Sequence, residues 1–133
     1  MNQAIEDYLA GLVTTAGVVP ASDVFTGTSS EVRTPESHAI LVLADSIENV
    51  VGPLHRATVK ILVSSPTDDR AEHADLANAV KSAMEGTLPA ASTFMVGGFR
   101  TKSHTTTVTD DGRWLTTIEG ILGVDWTPVD NPA

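Results

Sequence analysis

Residues 56–85 read RATVKILVSSPTDDRAEHADLANAVKSAME, and this stretch decides the class of fold. Its first half alternates, so that Val59, Ile61 and Val63 share one face of a predicted strand. A polar turn follows, and apolar residues then recur at helical spacing as far as Met84. The stretch therefore predicts a strand, a turn and an amphipathic helix, and none of these resembles a catalytic or phosphate-binding loop.

The chain before this stretch predicts a helix, a loop and a second strand. Residues 2–16 carry one apolar stripe at helical spacing, which indicates a helix packed on a core. Residues 17–37 are rich in Gly, Ser, Thr and Pro and are predicted to form a long irregular loop. The continuous apolar run His38–Asp45 predicts a strand buried on both faces. Residues 46–55 break that pattern, so we expect an apolar surface connection there.

The chain after residue 90 is rich in strand signals. Phe94–Arg100 and His104–Thr109 are predicted as two strands, the first of them loosened at Gly97-Gly98. Asp111-Gly112 is a hairpin signal that joins the second of these to a long amphipathic strand beginning at Arg113. Two glycines predict a bend or a bulge inside that last strand: Gly120 and Gly123.

The order of these elements predicts an α+β fold. We expect one mostly antiparallel or mixed sheet of four to five strands, with two helices packed on one face. Residues 1–133 are long enough for a single domain with its own core. A short extended tail is predicted from about residue 127, where prolines end the last strand.

Composition restricts the classes of partner. The formal net charge is −9 with only eight Lys and Arg residues, so we expect no tight nucleic-acid binding. The absence of cysteine excludes disulfides and thiolate chemistry. The N-terminus lacks the basic region of a signal peptide, and no apolar run approaches the roughly 20 residues that cross a bilayer. We therefore expect no membrane partner, and a protein that stays in the cytoplasm or in a particle assembled there.

Candidate chemistry is sparse along the chain, and we assign no catalytic, cofactor-binding or metal-binding residue. His73 and Asp75 lie two residues apart on a predicted helix, so they point in different directions. The other histidines lack the spacing of metal ligands, and no nucleophile elbow or glycine-rich phosphate loop occurs. A site assembled from distant residues remains the alternative, which would make the chain a small ligand-binding or hydrolytic α+β domain.

Apolar residues in segments that should be polar point instead to a contact surface. If both helices cover one face of the sheet, aliphatic residues on the other face and in segment 46–55 stay exposed. Self-association is the economical explanation, although each residue could also be a scattered surface aliphatic. The candidate oligomer interface consists of Val50, Val51, Leu54, Leu62, Leu115 and Ile121.

The chain resembles the tail terminator, or tail completion, proteins of tailed bacteriophages. The resemblance rests on the length and on the order of AIEDYLAGLV, HAILVLAD, TVKILVSS, HADLANAVKSAME and TTTVTDDGRWLTTIEGILGVDW. It implies a homo-oligomeric ring, usually a hexamer, that caps the tail tube, stops its polymerisation and joins it to the neck. The implied partners are the chain itself, the tail tube protein and neck or connector proteins. The implied location is the virion tail, assembled in the host bacterial cytoplasm.

A second structural role fits the same pattern. A head–tail connector or a minor tail subunit of the same machine would share the size and the order of elements, because related folds recur along a tail. The sequence leaves this alternative open.

Overall fold

A computed structural model of the chain describes residues 2–16, 24–26, 39–66, 70–85, 94–108 and 112–125. These residues form two helices and five strands. In chain order they are α1 (Asn2–Ala16), β1 (Val24–Thr26), β2 (Ala39–Val51), β3 (Leu54–Pro66), α2 (Arg70–Met84), β4 (Met95–Val108) and β5 (Arg113–Asp125).

The five strands form one open mixed sheet in the order β1-β2-β3-β5-β4. β1 runs parallel to β2, and every other neighbouring pair is antiparallel. The predicted α+β class, the strand number and the mixed character are confirmed. The predicted tail from about residue 127 lies outside the described residues.

Both helices pack on one face of the sheet, which we call the inner face; the opposite side is the outer face. Alternation in β3 and β5 sends every second side chain inward, as the sequence predicts. The core contains three side chains from each helix and four from the central strand: Ile5, Leu9 and Val13 of α1, Leu76, Val80 and Met84 of α2, and Ala57, Val59, Ile61 and Val63 of β3. None of the described residues places a helix or strand across the outer face.

Three predictions about the first half of the chain need correction. Segment 17–37 is not a wholly irregular loop, because Val24–Thr26 forms the edge strand β1. The run in β2 is fully buried on its inner face alone, since Leu41 and Leu43 remain partly exposed on the outer face. Segment 46–55 is not a loop: β2 continues to Val51 and turns through Gly52-Pro53 into β3.

The second half also differs from the prediction in its details. The stretches predicted as two strands are joined in one long strand, β4, which runs from Met95 to Val108 and pairs with β5 over its whole length. Thr109 lies outside the described residues. The irregularities lie in β4, between Val96 and Gly98 and between Thr101 and Ser103, and not in β5. The position of Gly120 has another cause. A Cβ atom there would lie 2.4 Å from Cζ of Phe99, so glycine at this position leaves room for the Phe99 ring to pack over β5.

Helix α1 is held to the sheet by a buried carboxylate. Glu6 is 4% exposed, and its Oε2 accepts a hydrogen bond of 2.9 Å from the backbone N–H of Ala44. Ala44 precedes a bulge at Asp45, where β2 has one more residue than β3. The bulge and the carboxylate together fix the position of α1 over β2.

Candidate functional site

Among the described residues, four of the five exposed large apolar residues lie together at one end of the sheet, and the fifth, Val108, lies at the other end of β4. Val50 is 49% exposed, Val51 62%, Leu54 45% and Met95 62%. They meet because Val51 pairs with Leu54, Leu54 pairs with Asp125, and Asp125 pairs with Met95 across three neighbouring strand pairs. We call these four residues the tip surface. Large apolar side chains at this exposure, in one contiguous patch, are typical of a contact site.

The turn beneath the tip surface is held by hydrogen bonds. Gly52 takes the left-handed conformation, with φ of 56°, which a residue with a Cβ adopts at a cost. The side-chain amide of Asn49 donates to the carbonyl of Gly52 at 2.9 Å. Nδ1 of His55 lies 2.8 Å from the carbonyl of Pro53, so Nδ1 carries the proton and donates. The tip surface is therefore presented on a fixed turn.

A concavity of about 430 Å³ opens beside the tip surface. Val50, Leu54 and Met95 form its apolar rim, and Ile121 and Gly123 of β5 form part of its floor. Gly123 leaves room there because it has no side chain. The lining that the described residues supply is mostly apolar and contains no Ser, Thr, Cys or Lys side chain that could act as a nucleophile.

The structure brings together four of the six predicted interface residues. Val50, Val51, Leu54 and Ile121 adjoin the concavity or its rim, whereas Leu62 and Leu115 lie farther along the outer face. Eight residues of β3 separate Leu54 from Leu62, which is about 26 Å at roughly 3.3 Å per residue.

A charged band separates the two apolar groups on the outer face. Arg56 lies 3.7 Å from Glu48, and Lys60 lies 3.2 Å from Asp45. These pairs are well exposed, so they add little stability, but they keep the middle of the face polar. Met95, on the far side of the tip surface from the β2–β3 turn, belongs to the same exposed patch and is not among the six predicted residues.

A second cluster is buried where α2 meets the sheet. His73 is 2% exposed, with Nδ1 lying 2.6 Å from Oγ of Ser65 and Nε2 lying 2.7 Å from Oγ1 of Thr116. Oγ1 of Thr116 also lies 2.9 Å from Oγ1 of Thr106. A neutral imidazole donates from one nitrogen and accepts at the other, and hydroxyl groups can take either role. One histidine thereby ties α2 to β3 and β5.

The histidine cluster has a serine–histidine contact but not the access that catalysis needs. Ser65 and Thr116 are 0% exposed, so neither hydroxyl can reach a substrate. The ring of Trp114 stacks beside His73 with centroids 6.3 Å apart, and the guanidinium group of Arg70 lies over the Trp114 ring, 5.6 Å from its centroid. A cavity of about 210 Å³ lies beside the cluster. The arrangement supports a structural role for His73.

Replacing His73 with leucine is expected to lower the free energy of unfolding by about 2–3 kcal/mol. The change leaves the Ser65 hydroxyl buried without its imidazole partner and removes one of the two partners of Thr116. Chemical denaturation measures the loss. His104→Leu is the matched control, because His104 is exposed and its replacement should change stability by no more than about 0.5 kcal/mol. Equal stability of the two variants would contradict the structural role.

Among the described residues, no three His, Asp or Glu side chains stand close enough together to hold a metal ion. Neither α1 nor α2, the helices of the described part of the chain, is both long and apolar enough to cross a membrane.

Comparison with known proteins gives a likeness of fold. No protein-family model matches the sequence, and no curated protein matches it. Among solved structures, the chain is similar to one from the structure described as "Virion of native gene transfer agent (GTA) particle". The TM-score is 0.72 at 10% sequence identity, and the match covers 92% of this chain and 96% of that chain. At this identity the match shows that the two chains share a fold.

Proposed function

We propose that this protein is a structural component of a phage-like virion. The observation that carries the proposal is the likeness to a chain of the gene transfer agent particle, which extends over nearly the whole length of both chains. The surface chemistry agrees with it. The described residues offer an exposed apolar tip rather than an accessible set of catalytic groups, since the one serine–histidine contact is buried.

Within the virion, we propose that the protein is a tail terminator. Copies assemble into a ring, with six as the number that the sequence resemblance implies, and the ring ends the tail tube and meets the neck. The tip surface is the proposed contact between copies, and Ile121 completes it at the concavity. The net charge of −9 per chain suits a ring through which DNA passes without being held.

Electron microscopy of the purified protein, alone and mixed with growing tail tubes, tests the proposal. We expect rings with a central opening, found at one end of each tube, and tubes that stop growing once the ring is present. Tube length distributions with and without the protein give the second readout. Rings that leave the tubes growing and bind only the neck would assign the connector role instead. A monomer under all conditions would refute a ring-forming role of either kind.

A further inference from the structure

The outer edge of β4 contains a segment suited to pairing with another strand. From Ser103 to Val108 the strand pairs with β5 in unbroken register, and all six residues are exposed. The segment has no Asp, Glu, Lys or Arg, and three of its residues are threonine, a residue favoured in strands. Native proteins usually shield such an edge with bulges and lysines. The first half of β4 is shielded in this way, with two bulges and Lys102, whereas the second half is not.

The other edge strand of the sheet, β1, lies at the same position along the strand direction as this segment of β4. Val24, Phe25 and Thr26 of β1 pair with residues 40, 41 and 42 of β2. Through β3 and β5, the row of Phe25 continues to Thr105 of β4. The two edge strands are therefore in register across the sheet. β1 lies on the same cross-strand line as the middle of segment 103–108. A second copy placed beside the first, without a shift along the strands, sets Thr105 of one beside Phe25 of the other.

The strand directions also suit such a contact. β1 runs parallel to β2, and the three antiparallel pairings that follow leave β4 running opposite to β1. A neighbouring copy in the same orientation thus brings its β4 antiparallel to β1. Antiparallel pairing is the more stable arrangement per residue, and it places a threonine beside an aromatic side chain on one face.

We propose that residues 103–108 of one copy add to β1 of the next copy, so that the sheet continues from subunit to subunit. The contact joins two different surfaces of the same chain, and a repeated contact of that kind closes into a ring when the rotation between copies allows. Closure then covers residues 103–108 of every copy, the part of β4 that bulges do not shield. The inference rests on the proposed function in one respect, since it presumes that the copies form a ring. The tip surface, at the end of the strands, is then a second contact between copies, in addition to the edge pairing.

Disulfide trapping tests the edge contact, because the chain has no cysteine of its own. Phe25→Cys is combined in turn with Ser103→Cys, Thr105→Cys or Thr107→Cys, which share its face and allow for a shift of one pair in either direction. Within one copy the two edges lie four strand spacings apart, roughly 19 Å, which is too far for a disulfide. Under mild oxidation we expect at least one pair to give a ladder of linked copies on a denaturing gel. The control combines Phe25→Cys with Thr117→Cys. Thr117 pairs with Thr105 but lies on the interior strand β5, so this control should give no ladder.

Each outcome decides between the edge contact and the ring itself. A ladder from a double variant, absent from each single variant, supports pairing of β4 with β1. Linked dimers from Thr105→Cys alone would overturn it in favour of a two-fold contact between two β4 strands. Rings in the electron microscope without a ladder from any of the three pairs would overturn the edge contact and leave the proposed function standing. The absence of any oligomer in sedimentation would overturn both.

Discussion

Replacing Val50 and Val51 together with aspartate is expected to weaken self-association by at least roughly a hundredfold. In the proposed ring these exposed side chains are buried between copies, and a carboxylate buried without a partner costs several kcal/mol. About 2.8 kcal/mol already corresponds to a hundredfold change in the dissociation constant. The folded protein should be retained, because both residues are exposed at the turn. Sedimentation at a series of concentrations measures the change, and circular dichroism confirms the fold.

The control for this variant separates the added charge from its position. Ala71→Asp combined with Asn78→Asp introduces two carboxylates at exposed positions of α2, on the side of the sheet opposite the outer face. This control should sediment like the unaltered protein. If the tip variant also keeps its original size, the tip surface is not the contact between copies. The concavity beside it would then be left for a different partner.

Replacing Gly120 with alanine is expected to lower the free energy of unfolding by about 2–4 kcal/mol. The added Cβ would stand 2.6 Å from the backbone oxygen of Arg100 as well as 2.4 Å from the Phe99 ring. The ring could rotate aside, but the backbone oxygen moves only if the paired strands separate, so the cost exceeds that of ordinary overpacking. In a domain of this size we expect the melting temperature to fall by roughly 10 °C.

Gly123→Ala is the matched control for Gly120, three residues along the same strand. A Cβ at Gly123 would meet nothing nearer than the Cα of Gly97, at 4.0 Å, which is ordinary contact. We expect its melting temperature to stay within about 2 °C of the original, because exposed or spacious sites tolerate a methyl group. If both alanine variants melt at the same temperature, the close approach of Phe99 to β5 is not what requires glycine at position 120.

The periodic elements of the fold could be predicted because their signals are local. Alternation in β3 and β5 identified the inner and outer faces, and helical spacing identified α1 and α2. β1 could not be found in this way, since three residues are too few to show a period. The bulges at Asp45 and Val50 shift the alternation of β2, so that its second half looks irregular although it is paired throughout.

The tip surface could be predicted only in part, because its residues come from strands that are distant in sequence. Val50, Val51 and Leu54 stand out as apolar residues in a polar context. Met95 reaches the same surface through two strand pairings that no local pattern reveals. The hydroxyl partners of His73 were missed for the same reason, since Thr116 lies on the last strand. Helical spacing could show that the histidine faces the core, but not which groups it meets there.

The pairing of β3 with β5 has a consequence for how the chain folds. β2–β3 and β4–β5 are hairpins of neighbouring segments, and such hairpins close within about 1–10 μs. The pairing of β3 with β5, which extends from Leu54–Asp125 to Pro66–Arg113, forms only after long stretches of chain have been brought together. Until then each hairpin exposes the free edge of a central strand. At high protein concentrations, that delay sets the time during which two chains can exchange hairpins before either has folded.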